Sequence, residues 1–140
     1  MTALQSGERA LTYTTGWLAV TFLVVAVLAP LVQLVRRPRS RRRVGRWHDR
    51  LGWVGAGIAA VHSLASITRG AVPVLAEVGL WVAGVAAVLI GLEVLLGCLL
   101  RTPRVSSRWR VRRDHVRLAP VVGALVAAHV VLNWHYVVPR

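Results

Sequence analysis

Five histidines punctuate an otherwise apolar chain of 140 residues: His48, His62, His115, His129 and His135. Four of them form two pairs with one spacing, fourteen residues from His48 to His62 and fourteen from His115 to His129. On a helix, fourteen residues bring a side chain to within about 40° of four full turns and advance it by about 21 Å, so both members of a pair share a face and lie near opposite sides of a bilayer. Neutral imidazole is a metal ligand through either ring nitrogen. Two such helices facing each other set His48 level with His115 and His62 level with His129. Each level then offers two imidazoles to a flat macrocycle held edge-on between helices. Paired imidazoles are the axial set of a haem iron closed to oxygen and suited to electron transfer. Two b-type haems are expected, His48 and His115 on the inner iron, His62 and His129 on the outer.

A single intramembrane histidine often does no more than hydrogen-bond a neighbouring helix. Two matched pairs at matched depth favour the ligand reading, because polar groups in lipid are costly and rarely placed without function. A dinuclear metal site is excluded: ligands about 21 Å apart cannot converge, and the chain has no Glu-x-x-His set. His135 lies six residues past His129 and points about 120° away from that face. It reads as an interfacial side chain beside Trp134 and Tyr136, with an exit-side metal ligand as the alternative.

The surroundings of the inner histidines repeat, His48-Asp49-Arg50-Leu51 against His115-Val116-Arg117-Leu118. Arg50 and Arg117 are candidates to pair with haem propionates, since guanidinium forks suit carboxylates; plain positive-inside anchoring is the alternative. Asp49 or Asp114 is a candidate carboxylate behind a ligand imidazole. Glu93, inside an apolar run, is a candidate for proton uptake linked to haem reduction or quinone binding, with a salt bridge to a basic loop, or simple protonation, as the other reading. Gly52, Gly55 and Gly57 form G-x-x-G-x-G, but no strand precedes them, so this is no dinucleotide fingerprint. Together with Gly79, Gly84, Gly91 and Gly97 they suit close approach of helices or of a porphyrin.

Apolar segments must position these residues. Hydrophobic residues make up 56% of the chain and charged residues 16%, a balance that a small soluble globule cannot bury. Four segments are long enough to cross a bilayer, over about residues 11–35, 47–67, 72–100 and 118–138. The second is the shortest, with 17 residues free of charge from Leu51. The first reads as a retained signal anchor, its apolar run being too long for a cleaved signal and lacking an A-x-A site. The lone Cys98 excludes a disulfide framework and a cysteine-based zinc site.

All 18 basic residues are arginine, against 5 acidic ones, a formal net charge of +13. Fifteen arginines lie on one side, fourteen between the first and second segments or between the third and fourth and Arg50 at the start of the second; only Arg9, Arg69 and Arg140 lie on the other side. The positive-inside rule places both basic loops in the cytoplasm and both termini outside, in a multi-pass protein of the plasma membrane. Trp47 and Trp109 then mark the inner interface, Trp17, Trp81 and Trp134 the outer. Binding of nucleic acid is the disfavoured reading of these arginines. Leu34-Val35-Arg36-Arg37-Pro38-Arg39 and Leu99-Leu100-Arg101-Thr102-Pro103-Arg104 form a weak internal repeat. The expected fold is an all-α membrane protein, one transmembrane domain over residues 1–140, built as an antiparallel four-helix bundle from two tandem helical hairpins.

The paired H-x13-H helices separated by one span, with the Trp47-His48-Asp49-Arg50-Leu51-Gly52 opening, resemble the di-haem membrane core of ferric reductases and NADPH oxidases. Cytochrome b of quinol-oxidising complexes is similar in using the second and fourth helices of a four-helix bundle. The resemblance implies a b-type cytochrome passing electrons across the membrane to an outer acceptor such as ferric iron, a quinone or a redox protein. Two departures stand out: that family usually has six spans, and it often carries a flavin- and nicotinamide-binding domain for which no residues remain here. The expected partners are therefore the lipid bilayer, a separate donor (flavoprotein or quinol) and the outer acceptor, with a homo-oligomer left open. The alternative function is a haem-free membrane anchor or assembly subunit that recruits a partner through the arginine-rich loops.

Overall fold

In the computed structural model, the backbone is described over residues 3–35, 41–67, 74–103 and 106–137, and the side chains over 7, 10–29, 45–67, 77–103 and 106–133. Trp134, His135 and Tyr136 therefore have no described side chains, and Arg36, Arg37, Arg39, Arg69, Arg104 and Arg140 lie outside the described residues. Four helices account for nearly all of the described chain: α1 (Ala3–Val35), α2 (Arg41–Ile67), α3 (Val74–Arg101) and α4 (Arg108–Val137).

The helices run past the apolar segments at their basic ends. α2 begins six residues and α4 ten residues before the segments expected from hydropathy. Arginine is a good helix former, so the basic stretches continue the helices. Ser107 starts α4, its carbonyl accepting the amides of Arg110 (2.9 Å) and Val111 (3.3 Å), and the Arg108 guanidinium donates to the Leu100 carbonyl across the turn.

Among the described residues, three helices are long and apolar enough to cross a membrane, over Ala10–Ala29, Glu77–Arg101 and Arg108–Asn133. Large apolar side chains face outward along them, Trp81 at 73% and Val88 at 72% exposed, as lipid-facing surface requires. α2 falls outside this set because its apolar stretch starts only after Arg50.

The chain divides into two compact units, Met1–Ala65 and Ser66–Arg140. In the first, α1 and α2 run antiparallel: His62 meets Thr12 and His48 meets Ala26, fourteen residues apart on both helices. The buried positions of α1 are Thr12, Ala19 and Ala26, a step of seven. The midpoint between the two histidines of α2 is Gly55, also buried. A seven-residue stripe is the seam of left-handed helix pairing, in which 3.5 residues per turn keep one face toward the partner. The second unit repeats this at an offset of 67 residues. His129 meets Gly79 and His115 meets Glu93, with buried Ala86 and Val122 at the midpoints.

Small residues at the seam let the backbones close on each other. A Cβ built on Gly55 would stand 3.2 Å from the Phe22 Cβ and 3.4 Å from the Leu23 amide nitrogen, whereas one on Gly57 would meet nothing within 4 Å. Gly55→Val is expected to force α1 from α2 at a cost of about 1–3 kcal/mol, typical of overpacking. Gly57→Val should be neutral or slightly stabilising. Denaturant titration of both variants in the same detergent tests the contrast.

Candidate ligand site: four imidazoles on two helix seams

Each of the four spaced histidines sits half-buried on the seam of its hairpin and turns Nδ1 toward the preceding helix. His48 Nδ1 lies 2.7 Å from the Ala26 carbonyl oxygen, His62 Nδ1 3.0 Å from that of Thr12, and His129 Nδ1 2.9 Å from that of Gly79. A carbonyl has no proton to give, so in these three contacts Nδ1–H is the donor. The Nδ1–H tautomer carries its lone pair on Nε2. His115 differs in partner but not in direction, its Nδ1 pairing with Glu93 Oε2.

These acceptors come from register, and each has its own local cause. In a helix the Ala26 carbonyl accepts from the amide four residues on, but that residue is Pro30, which has no N–H. His48 supplies the missing donor. The Thr12 and Gly79 carbonyls have helical donors four residues on, Gly16 and Ala83, and take the imidazole as a further bond, Thr12 also accepting the Thr15 hydroxyl at 3.2 Å. Around His62, the Thr15 hydroxyl donates to the Leu11 carbonyl at 2.8 Å and stands 3.5 Å from Nδ1. Around His129, the Asn133 carboxamide nitrogen donates to the His129 carbonyl at 2.8 Å and stands 3.1 Å from Nδ1.

Glycine makes room where the rings cross to the neighbouring helix. A Cβ on Gly16 would lie 2.9 Å from His62 Cε1, and one on Gly79 would collide with the Asn133 carboxamide. Sequence reading singled out Gly79 only as one of several helix glycines and passed over Gly16, Thr12, Ala26 and Pro30. No residue type marks a carbonyl as an acceptor. Only Pro30, four residues after Ala26, carried a readable signal.

The flanking charges are placed otherwise than expected. Asp49 and Asp114 stand one residue from a histidine, about 100° around the helix. Asp114 pairs instead with Arg113 at 3.1 Å, and the Arg113 guanidinium lies 4.8 Å over the Trp109 ring. The carboxylate behind a ligand candidate is Glu93, whose side chain is 14% exposed and joined to His115. Arg50 and Arg117 are exposed and stand about 200° around from the adjacent histidines. No cluster of three or more metal-ligating side chains occurs among the described residues; the histidines of one helix are too far apart to converge on one ion.

Comparison with protein-family models, with curated proteins and with solved structures finds no match to this chain.

Histidine-selective 15N NMR of the haem-free protein in micelles should show His48, His62 and His129 as Nδ1–H tautomers. In Gly16→Val the His62 signal alone should move, as the valine displaces its ring from the Thr12 carbonyl. An Nε2–H tautomer at any of the three would contradict the assigned donors.

Proposed function

We propose that this chain is a di-haem b-type membrane cytochrome. His48 and His115 would hold the inner iron and His62 and His129 the outer one, with the two hairpins packed so that α2 and α4 face each other in an antiparallel four-helix bundle. The observation that carries the reading is the shared orientation of the four imidazoles. A metal-bound histidine nearly always donates its other ring N–H to a carbonyl or carboxylate, which fixes the tautomer and the ring plane. All four have such a partner on Nδ1, which makes Nε2 the ligating nitrogen. The equal fourteen-residue spacing on both helices matches the two levels in depth.

The donor set suits haem in another respect. Gly52, one turn from His48 on nearly the same face of α2, has nothing within 4 Å of where a Cβ would stand, so a flat ring meets no side chain there. The bound groups would supply reversible one-electron chemistry at two levels of the membrane. The chain's part would be to hold the groups through His48, His115, His62 and His129, to keep oxygen from the iron, and to surround them with apolar helix. Arg50 and Arg117 would provide positive charge for propionates at the water-facing edge.

Support for α2 as the fourth span comes from its register. It runs beside Thr12–Ala26 of α1, which lies inside the candidate span Ala10–Ala29, so His48 to His62 would occupy the same depth. The arginine distribution supports cytoplasmic basic loops in a plasma membrane. The donor would be a separate flavoprotein or quinol, and the acceptor a ferric chelate, quinone or redox protein outside.

The competing reading is a haem-free anchor whose histidines only fasten α1 to α2 and α3 to α4. It is favoured by the same Nδ1 contacts, since a hydrogen bond by itself satisfies a polar group in lipid. Dithionite-reduced-minus-oxidised spectra and a pyridine haemochrome assay of the purified protein separate the two. Two b haems per chain are expected, falling to about one in His62→Ala or His115→Ala. No haem after expression with ample haem supply would leave the anchor in place.

A further inference from the structure

The inner and outer histidines are not equivalent in what stands behind them. Both outer imidazoles, His62 and His129, donate to carbonyl oxygens that also take a helical amide, at 3.0 and 2.9 Å. Both inner imidazoles have a stronger acceptor. His48 donates at 2.7 Å to the carbonyl that Pro30 leaves without a helical donor. His115 pairs with a carboxylate that is largely buried and has no second partner among the described residues. The two reinforced contacts arise by unrelated devices, a missing backbone N–H in one hairpin and an acidic side chain in the other. Glu93 and Ala26 occupy equivalent positions at the 67-residue offset, so each hairpin carries its reinforced contact at the same place in its own register.

We propose that Glu93 and Pro30 are positioning residues that make the inner pair of imidazoles the more electron-rich, and so set the inner haem at a lower reduction potential than the outer. This rests on the di-haem reading. An acceptor on Nδ1–H draws the proton away from the ring and raises the basicity of Nε2, and a carboxylate does so more strongly than a carbonyl. A more basic axial ligand favours the ferric state. Second-partner hydrogen bonding is one of the levers by which a protein tunes a haem. The positive charges near the inner level act in the opposite sense. Arg50 and Arg117 are exposed, however, and salt screens exposed charge beyond about 8 Å at physiological ionic strength, whereas the Nδ1 contacts are direct.

The test is an optical redox titration of the haem-loaded protein in detergent, with low-spin EPR g-values recorded alongside. His62→Ala, which keeps only the inner haem, and His115→Ala, which keeps only the outer, serve as backgrounds. Glu93→Gln in the His62→Ala background should raise the inner potential by at least the equivalent of a tenfold change in the reduction equilibrium, ~59 mV for one electron. The g-values should move toward those of a neutral imidazole pair. In the His115→Ala background the same substitution should leave the outer potential unchanged. Glu93→Asp should recover part of the shift. Pro30→Ala restores a helical donor to the Ala26 carbonyl without threatening the helix, and should raise the inner potential by a smaller step, so the inference stays open to test if Glu93→Gln fails to load haem. An unmoved inner potential in both Glu93→Gln and Pro30→Ala, or an equal shift at the outer haem, would overturn this inference alone. Wild-type protein without haem would overturn the di-haem reading and this inference with it.

Discussion

The hydrogen bond from an imidazole Nδ1–H to an acceptor on the antiparallel neighbour is the constraint around which each hairpin is arranged. In an apolar medium a polar group without a partner costs several kcal/mol, so a histidine on a seam must find an acceptor at its own level, and a shift of one residue would remove it. Two such bonds, fourteen residues apart, hold the register of α2 on α1 at both ends, and one more, with the His115–Glu93 pair, holds α4 on α3. The seven-residue stripe of Thr12, Ala19 and Ala26 follows from that register, since 3.5 residues per turn keep both bonds on one line of contact. Gly55 and Gly16 follow as well: the first lets the backbones close between the bonds, and the second gives the His62 ring its passage.

The same bond has a structural and a chemical side. It fastens two helices where lipid offers little hydrophobic drive for association. It also places the proton of the ring on one nitrogen and the lone pair on the other, which is the preparation a ligand histidine needs. Because one contact does both, a hairpin that has folded in register has already set its imidazoles in tautomer and direction. A cofactor binding between such helices would meet donors that need no rearrangement, the condition under which binding loses least to ordering.

The two hairpins reach one geometry by different residues. At the 67-residue offset, Ala26 corresponds to Glu93, Thr12 to Gly79, and Gly55 to Val122. What persists is the pair of histidines and a seam with acceptors at matching levels. What varies is the kind of acceptor: a carbonyl short of its helical donor, a carbonyl shared with one, or a carboxylate. The acceptor's chemistry can therefore change from level to level while the backbone pairing stays the same, which separates the tuning of an imidazole from the fold that carries it.

Much of this protein is legible in its sequence for plain reasons. Helical periodicity puts His48 and His62, and His115 and His129, on single faces, because rotation per residue is fixed; apolar length and the arginine distribution identify membrane-length helices, because lipid and charge impose them. Three of the four helices meet the length and apolarity that a span requires; in α2 the apolar stretch is cut short by Arg50. The partners of the histidines were not legible. Asp114 is next to His115 in sequence yet pairs with Arg113, while Glu93, Ala26, Thr12 and Gly79 are distant in sequence from the histidines and adjacent in space. Every residue carries a carbonyl, so residue type cannot say which one an imidazole will meet. Spacing along one helix determined that the histidines form pairs; the register between helices decided what stands behind each ring, because a hydrogen bond depends on ångström-scale proximity that no single helix encodes.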